Sequence, residues 1–245
     1  MQAIKFIVAY DGTHYHGFAK QKEIVTVQSK LEEAISYILR HEVEVIGAGR
    51  TDAGVHAKGQ CCMFESDTTI PMDKLRRAIN SKLPPDIIIK EMSLAEEDFH
   101  PRFSAKRKTY RYQIRYKGDR DPFNYRYEYF YPRTLNIEAM KDAASYIVGT
   151  HDFKAFCAAG SSVVSTVRTV YRLDLVEKDN LIQIDVCGDG FLYNMVRIIV
   201  GTLLKVGLGQ TMPHEVKNII KSKDRTLAGS TVPPHGLMML DIEYE

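Results

Sequence analysis

The sequence predicts an α/β fold made of two similar halves, and three observations lead to that prediction. Strand and helix periodicities follow one another in the order β-α-β-β-α-β up to Met92, which is the order of a ferredoxin-like unit. The rest of the chain repeats this order with insertions. No low-complexity linker separates the halves, so we expect residues 1–105 and 106–245 to pack together with a cleft between them.

In the first half, alternating apolar residues predict strands, and apolar residues at three- and four-residue spacing predict helices. Thr26 has the side chain of an N-cap for the first helix. Pro71 opens the second helix at a position where a missing N–H costs nothing. The predicted elements are a strand at 4–10, a helix at 27–39, strands at 43–46 and 60–64, a helix at 72–82 and a strand at 86–92.

The second half is predicted by the same criteria. Lys178-Asp179-Asn180 has the composition of a hairpin turn, and Gly207-Leu208-Gly209 is typical of a helix end. The predicted elements are strands at 108–116 and 125–131, a helix at 137–148, strands at 167–176 and 181–187, a long apolar helix at 191–206, a short helix from Pro213 and a strand at 236–244.

Composition excludes several classes of protein. The chain has 245 residues, 44% of them hydrophobic and 26% charged, with a net charge of +2, which is ordinary for a soluble globular protein. Four cysteines form no C-x-x-C pair, so we expect reduced thiols, a cytoplasmic protein and no metal framework. The N-terminus lacks the apolar core of a signal peptide, and no run reaches membrane-spanning length.

A glycine-rich loop, GRTDAGVHAKG from Gly49 to Gly59, lies between two of the predicted strands. It carries Arg50, Asp52 and His56. Dense glycines let a backbone turn sharply and approach a ligand closely, and reactive side chains are often held on such loops. The residues alone leave two interpretations open, because a polar hairpin turn with Asp52 as a turn residue would have the same composition.

Residues 102–133 form a second unusual stretch, in which basic and aromatic side chains alternate. Cations that bind phosphates and rings that stack on bases are what single-stranded or looped RNA requires. An ordinary strand pair, with tyrosines facing a core and lysines facing water, is an equally good interpretation. The basic residues are Arg102, Lys106, Arg107, Lys108, Arg111, Arg115, Lys117, Arg120, Arg126 and Arg133, and the tyrosines are Tyr110, Tyr112, Tyr116, Tyr125, Tyr127, Tyr129 and Tyr131.

Arg197 lies inside the otherwise apolar helix that follows Phe191. A buried arginine needs a partner, because an uncompensated charge is costly in a protein interior. Asp52 is one candidate for that partner. The alternative is that Arg197 lies on a solvent edge, since Asn194 is one turn away and polar.

Familiar cofactor motifs are missing from the sequence. The histidines do not form H-E-x-x-H, there is no P-loop, and Gly188-Asp189-Gly190 lacks the third glycine of G-x-G-x-x-G. A single placed carboxylate with arginines and a tyrosine remains. That set suits chemistry at a sugar anomeric carbon, where a carboxylate acts as nucleophile or stabilises positive charge.

These residues resemble the TruA family of tRNA pseudouridine synthases over nearly the whole chain. The Asp52 loop is the most specific motif, and the order of the others supports it. Two positions depart from the family pattern, Ala19 where glutamine is usual and Val232 where alanine is usual. The remaining motifs are Tyr10-Asp11-Gly12-Thr13, Gly17-Phe18, Asn80-x-x-Leu83-Pro84, 99–105, Tyr110-Arg111-Tyr112, His151-Asp152-Phe153, Phe191-Leu192 with Met195-Val196-Arg197, and Pro234-x-Gly236-Leu237.

The resemblance implies two ferredoxin-like (RRM-like) halves that share a central, mainly antiparallel sheet, a homodimer without cofactor or metal, and conversion of uridine to pseudouridine in the anticodon stem-loop of tRNA. Asp52 would be the nucleophile and Arg197 its ion-pair partner. Tyr110 would stack on the base, Arg50 would fill the gap left by the flipped uridine, and Leu237 would contact the substrate.

Two other classes of protein remain as alternatives. A non-catalytic RNA-binding module would use the basic, tyrosine-rich strands and would not need Asp52. A glycoside hydrolase or nucleosidase normally requires a second carboxylate as general acid, and the sequence offers no obvious partner for Asp52 in that role.

Overall fold

The computed structural model describes residues 1–160 and 163–245, and these divide into two compact units. Unit 1 comprises Met1–Lys106 together with Met238–Glu245, and unit 2 comprises Arg107–Leu237. The C-terminal residues therefore group with the first unit, whereas the sequence suggested an uninterrupted second half from residue 106.

Unit 1 follows the predicted β-α-β-β-α-β order and adds the C-terminal strand to its sheet. Strand β1 is antiparallel to both of its neighbours, β3 and β4, while the C-terminal strand pairs in parallel with β3. The elements are β1 (Gln2–Tyr10), α1 (Val27–Leu39), β2 (Ile46–Gly47), β3 (His56–Ser66), α2 (Met72–Asn80), β4 (Ile87–Leu94) and, at the end of the chain, β10 (Leu237–Glu243).

Helix α1 forms where the apolar spacing predicts it. Thr26 Oγ1 accepts a hydrogen bond from the Ser29 N–H (3.2 Å), and Ser29 Oγ accepts one from the Thr26 N–H (3.1 Å). This reciprocal cap satisfies two backbone donors that a helix start otherwise leaves unpaired. Leu31 and Ile35 of the apolar face are fully buried. The predicted helix and its N-cap are both confirmed.

The short strand predicted at 43–46 is shifted and shortened in the structure. Strand β2 contains only Ile46 and Gly47. The N–H of Val43 donates to Ser36 Oγ (3.0 Å), and the N–H of Val45 donates to Glu32 Oε1 (3.1 Å). Side chains of α1 thus take up the donors that a strand would need for its ladder, and such bonds compete with sheet formation.

Unit 2 contains an antiparallel sheet in the order β5-β9-β8-β7, with β6 parallel to β5. Asp179 and Asn180 adopt positive φ at the predicted hairpin turn. The elements are β5 (Arg107–Tyr116), β6 (Tyr129–Tyr131), α3 (Ile137–Ser145), β7 (Gly149–Asp152), β8 (Val167–Lys178), β9 (Leu181–Gly188), α4 (Met195–Gly207) and α5 (Val216–Ser222). The predicted α/β class with mainly antiparallel strands is confirmed.

The largest differences from the predicted boundaries in unit 2 are at the starts of β6 and α4, while α3 ends at Ser145 rather than at 148. Strand β6 is shorter than the predicted 125–131, because residues 122–127 form a turn in which the Tyr127 N–H donates to the Asn124 carbonyl (2.8 Å). Helix α4 begins at Met195 rather than at 191, because Asn194 adopts the left-handed conformation with φ of 61°. Strand β7 was not predicted at all.

Helix α4 forms much of the core of unit 2. Eleven of its 13 residues are buried, and the other two are Arg197 and Lys205. A helix that is apolar on nearly all sides is normally enclosed by protein or by lipid. Across 1–160 and 163–245, no helix combines the length and apolar character that a bilayer crossing requires.

Candidate active site

The loop that carries Asp52 connects β2 to β3 and is tied back to β3. The Ala48 N–H donates to the Cys61 carbonyl (2.9 Å), and Gln60 Nε2 donates to the Gly49 carbonyl (2.6 Å). The Val55 N–H closes a turn on the Asp52 carbonyl (3.1 Å). Asp52 itself is neither buried nor fully exposed. The backbone on both sides of Asp52 is therefore fixed, while its side chain remains partly accessible.

The segment that follows β1 holds the other side of this loop. The Phe18 N–H donates to the Thr51 carbonyl (3.0 Å), and the Gly54 N–H donates to the Tyr15 carbonyl (3.2 Å). Gly17 has φ of +90°, and a Cβ there would lie 2.6 Å from the Thr51 carbonyl oxygen. Only glycine tolerates both the conformation and the close approach. The Gly17-Phe18 motif thus contacts the Asp52 loop directly.

Buried polar side chains lie beneath the loop. The Tyr10 hydroxyl and Thr51 Oγ1 are 2.7 Å apart, and both residues are buried. His56, which is 1% exposed, accepts a hydrogen bond from the Gly12 N–H at Nδ1 (3.0 Å). The same nitrogen lies 3.0 Å from Asp11 Oδ1. Buried hydrogen bonds in a low-dielectric environment restrict the motion of the groups that they join, so the Tyr10–Thr51 and Gly12–His56 hydrogen bonds stabilise the loop.

Arg197 lies in the first turn of α4 and is partly buried. Its Nε donates to the Val232 carbonyl (2.7 Å), and its Nη1 donates to Asn194 Oδ1 (2.7 Å). Both acceptors are neutral, so they orient the guanidinium without cancelling its charge. The departure at Val232 leaves this contact intact, because the contact uses the main-chain carbonyl rather than the side chain.

Tyr112 and Gly236 place the segment before β10 close to β5. The Tyr112 hydroxyl donates to the Pro233 carbonyl (2.8 Å), and a Cβ at Gly236 would lie 2.7 Å from the Tyr112 ring. Burial raises the pKa of Tyr112 well above its ordinary value, and the positive charge of Arg197 partly opposes that rise. The hydroxyl therefore stays protonated and keeps its donor role. Leu237 follows this segment and is 5% exposed.

Tyr110 stands on β5 opposite Val186 of β9, and it is 8% exposed. Its ring meets the Phe191 ring edge-on, with centroids 5.3 Å apart and planes at 86°. Such a contact fixes the ring in one orientation. A base that stacked on Tyr110 would therefore meet a ring that is already held in place.

Part of the basic, tyrosine-rich stretch fits the interpretation as an ordinary strand pair, and part fits the interpretation as an RNA-binding surface. On β5, Tyr112 and Tyr116 are buried in the way that core tyrosines are. Arg111 forms a bidentate ion pair with Asp185, with both N–O distances 2.7 Å. Arg115 is paired in the same way with Glu128 (2.6 and 3.1 Å). Other cations of the stretch are exposed, namely Arg102, Lys106, Arg107, Lys117, Arg120, Arg126 and Arg133.

The structure thus places the predicted site residues in two groups. Arg50, which is exposed, and Asp52 share one loop of unit 1, while Tyr110, Arg197 and Leu237 belong to unit 2. Within the described residues, no three His, Cys, Asp or Glu side chains are arranged to hold a metal ion.

Several contacts of the site could not be found from the sequence. The Val232 and Pro233 carbonyls are main-chain atoms, which carry no residue signature. The Tyr10–Thr51 contact joins residues 41 positions apart. The sequence identifies Phe191 as part of a motif, but it does not predict that Phe191 packs on Tyr110. These residues become neighbours only when the chain folds, so no local pattern in the sequence identifies them.

A family model described as tRNA pseudouridine synthase matches residues 6–104 and 143–245. Tyr110 lies between the two matched ranges. The chain belongs to this family, and it is an isomerase that converts uridine to pseudouridine in tRNA.

Full-length relatives place the chain more narrowly, among proteins named tRNA pseudouridine synthase A. The protein of that name from Thermoanaerobacter sp. (strain X514) is 52% identical over 246 residues, which cover 100% of both chains. The one from Clostridium acetobutylicum is 47% identical, again over 100% of both chains. The Bacillus subtilis (strain 168) protein is 42% identical over 99% of each.

Proposed function

We propose that the protein modifies uridines in the anticodon stem-loop of tRNA and that Asp52 is its nucleophile. The observation that carries this proposal is the Asp52 loop, which main-chain hydrogen bonds fix from two sides while Asp52 stays partly accessible. A nucleophile held in place spares the entropy of positioning it, which is a large part of many catalysed barriers.

In this mechanism the Asp52 carboxylate attacks C1′ of the target uridine as the C1′–N1 bond breaks. The uracil leaves with the bonding electrons, turns, and attacks C1′ through C5. The carboxylate then departs, and loss of the C5 proton restores the aromatic base. One carboxylate suffices, because the leaving base is recaptured and no water needs to be activated.

Arg197 is proposed to pair with Asp52 and keep its carboxylate ionised. Two features of α4 support this role. A cation in the first turn of a helix opposes the helix dipole, at a cost of about 0.3–1 kcal/mol, so its position there calls for a compensating anion. The neutral contacts to Val232 and Asn194 hold the guanidinium in one orientation, as an ion pair with defined geometry requires.

The remaining site residues are proposed to bind the substrate. Tyr110 stacks on the target base, Leu237 contacts it, and Arg50 fills the gap that the base leaves in the RNA. Flipping a base out costs a few kcal/mol, and less in a loop than in a duplex. The exposed position of Arg50 on the Asp52 loop supports its role, because the side chain can reach an RNA that lies over the loop.

We also propose that the enzyme acts as a homodimer in the cytoplasm. Four free cysteines suit a reducing compartment. Sedimentation of the purified protein over a range of concentrations would test the dimer, and a monomer at all concentrations would contradict it.

Pseudouridine mapping on unmodified tRNA transcripts tests the function itself. The purified protein is incubated with transcripts, and modified positions are read by carbodiimide labelling and primer extension. We expect stops confined to the anticodon stem-loop. Modification elsewhere in the tRNA would contradict the proposed position while leaving the isomerase activity in place.

Binding of tRNA is expected to weaken steeply with salt, because exposed cations of 102–133 would release counterions from RNA phosphates. The structure adds a distinction between two arginines of this stretch. Arg133 is exposed, whereas the Arg111 guanidinium is already bidentate with Asp185. Arg133→Gln should therefore reduce the slope of log affinity against log salt by about 1. The slope is measured by fluorescence anisotropy of labelled tRNA at salt concentrations from about 50 to about 300 mM.

Arg111→Gln is the matched control for that measurement. Its slope should stay close to that of the wild type, since its charge is balanced within the protein. A flat salt dependence in the wild type would contradict phosphate binding by the stretch, and equal slopes in both variants would remove the proposed distinction.

Tyr110→Phe is expected to bind tRNA normally and to complete the reaction slowly. Phenylalanine keeps the ring face, which is worth about 1–3 kcal/mol per stacked base, and removes only the hydroxyl. If that hydroxyl helps take the C5 proton, the variant should accumulate base already joined through C5. Single-turnover kinetics and a melting scan measure both effects.

Tyr110→Ala is the companion variant. A ring that only stacks would leave Tyr110→Phe near wild type, while Tyr110→Ala would lose binding and rate. A ring that only fills the core would show instead as a loss of stability of about 3–5 kcal/mol in Tyr110→Ala. A normal single-turnover rate in Tyr110→Phe would rule out proton transfer by the hydroxyl.

A further inference from the structure

Residues 225–233, which follow α5, lie against α4 through a contact between two glycines. A Cβ at Gly229 would lie 2.1 Å from the Gly201 carbonyl carbon, and a Cβ at Gly201 would lie 1.9 Å from the Ser230 carbonyl oxygen. Both glycines are buried. Main chains can approach this closely only where neither residue carries a side chain. The 225–233 segment is therefore seated directly on the backbone of α4.

The Thr202 hydroxyl and the Arg225 guanidinium hold the 225–233 segment in this position against α4. Thr202 is fully buried, and its Oγ1 accepts from the Gly229 N–H (2.8 Å) while donating to the Ile198 carbonyl (2.8 Å). Arg225 donates from Nη1 to the Gly229 carbonyl (2.8 Å) and from Nη2 to Thr231 Oγ1 (3.2 Å). The Thr202 hydroxyl thus acts as both donor and acceptor, so the position of the 225–233 segment depends on an oxygen at residue 202.

The seated segment presents two consecutive carbonyls to the candidate site. The Val232 carbonyl accepts from Arg197 Nε (2.7 Å), and the Pro233 carbonyl accepts from the Tyr112 hydroxyl (2.8 Å). Arg197 and Thr202 lie on the same helix, one turn and a half apart along the chain. The position of the Arg197 guanidinium relative to its own helix is therefore set partly by how 225–233 is seated.

We infer that Thr202 and Arg225 are positioning residues for the isomerase reaction. They seat the 225–233 segment on α4, and the segment in turn aims the Arg197 guanidinium through the Val232 carbonyl. This inference rests on the proposed role of Arg197 in keeping Asp52 ionised. A shift of the 225–233 segment turns the Arg197 guanidinium and weakens its interaction with the Asp52 carboxylate. The pH at which Asp52 becomes ionised then rises.

Thr202→Val tests the inference, because valine matches threonine in shape and lacks the hydroxyl. We expect kcat to fall about tenfold with KM for tRNA nearly unchanged, since the guanidinium is misplaced and the RNA surface is not. The acidic limb of the pH–rate profile should move to higher pH. Thr202→Ser keeps the oxygen and should restore both the rate and the profile.

A stability control separates positioning from general loosening of the fold. Leu175→Val trims the core of β8, away from the 225–233 segment, and should lower the melting temperature without moving the pH profile. If Thr202→Val behaves in this same way, the positioning role is overturned. Should Thr202→Val fail to fold, Arg225→Gln asks the same question at a position that is only partly buried, and an unmoved profile there overturns the inference.

Arg197→Met distinguishes failure of the inference from failure of the proposed function. If Arg197→Met moves the acidic limb and neither Thr202→Val nor Arg225→Gln does, only the positioning role fails. If Arg197→Met leaves the limb in place, the proposed role of Arg197 fails and the inference fails with it.

Discussion

Replacing Asp52 by asparagine is expected to lower the rate of pseudouridine formation at least about 1,000-fold, the scale on which enzymes lose activity when their nucleophile is removed. Asparagine has nearly the same volume, and the hydrogen bond that closes the Asp52 turn uses the main-chain carbonyl. The loop should therefore keep its shape while losing the carboxylate that is proposed to attack C1′. Binding of tRNA should stay within about tenfold, because phosphate contacts dominate affinity.

Single-turnover assays with excess enzyme measure this loss, and filter binding measures the affinity. Asp67→Asn is a matched control, since it makes the same chemical change at an exposed position after β3. The control should keep wild-type activity. Residual turnover near the wild-type rate in Asp52→Asn, from a preparation free of host enzyme, would rule Asp52 out as the nucleophile.

Local signals in the sequence predicted most of the fold. The Thr26 cap, the apolar spacing of α1 and the Asp179-Asn180 turn each depend on neighbouring residues, so the sequence contains what determines them. One error, the strand predicted at 43–46, arose where side chains of another element compete for the backbone. Val43 and Val45 donate to side chains of α1 rather than to a strand, and no local pattern announces that exchange.

In the candidate site, too, local features could be predicted from the sequence and contacts between distant residues could not. Glycine density around Asp52 predicted a tight loop. The structure explains two of these glycines, since Gly54 adopts positive φ and a Cβ at Gly59 would lie 2.5 Å from the Leu240 carbonyl oxygen. The resemblance to a known family supplied the roles that are proposed for Asp52 and Arg197. Neither source could have indicated that Arg197 is aimed by a main-chain carbonyl, or that Thr202 seats the segment bearing it. Such contacts exist only after the chain has folded.

Arg197→Met is expected to lower turnover about 100-fold, comparable to removal of one preorganised electrostatic group from an active site. Methionine keeps an unbranched apolar stem and loses the charge. An opposite charge favours the ionised form of a carboxyl, so its removal should raise the pKa of Asp52. The acidic limb of the pH–rate profile should then lie at higher pH, and part of the lost rate should return as the pH rises.

Two further variants sharpen this expectation. Arg197→Lys keeps the positive charge but lacks the planar fork that contacts Val232 and Asn194 at once, so its turnover should lie between wild type and Arg197→Met. Arg172→Met removes an exposed arginine that is paired with Asp174 on β8, and should leave both turnover and profile unchanged. An acidic limb in Arg197→Met that coincides with the wild-type limb would remove the proposed ion pair, because no support of the Asp52 carboxylate would then have been lost.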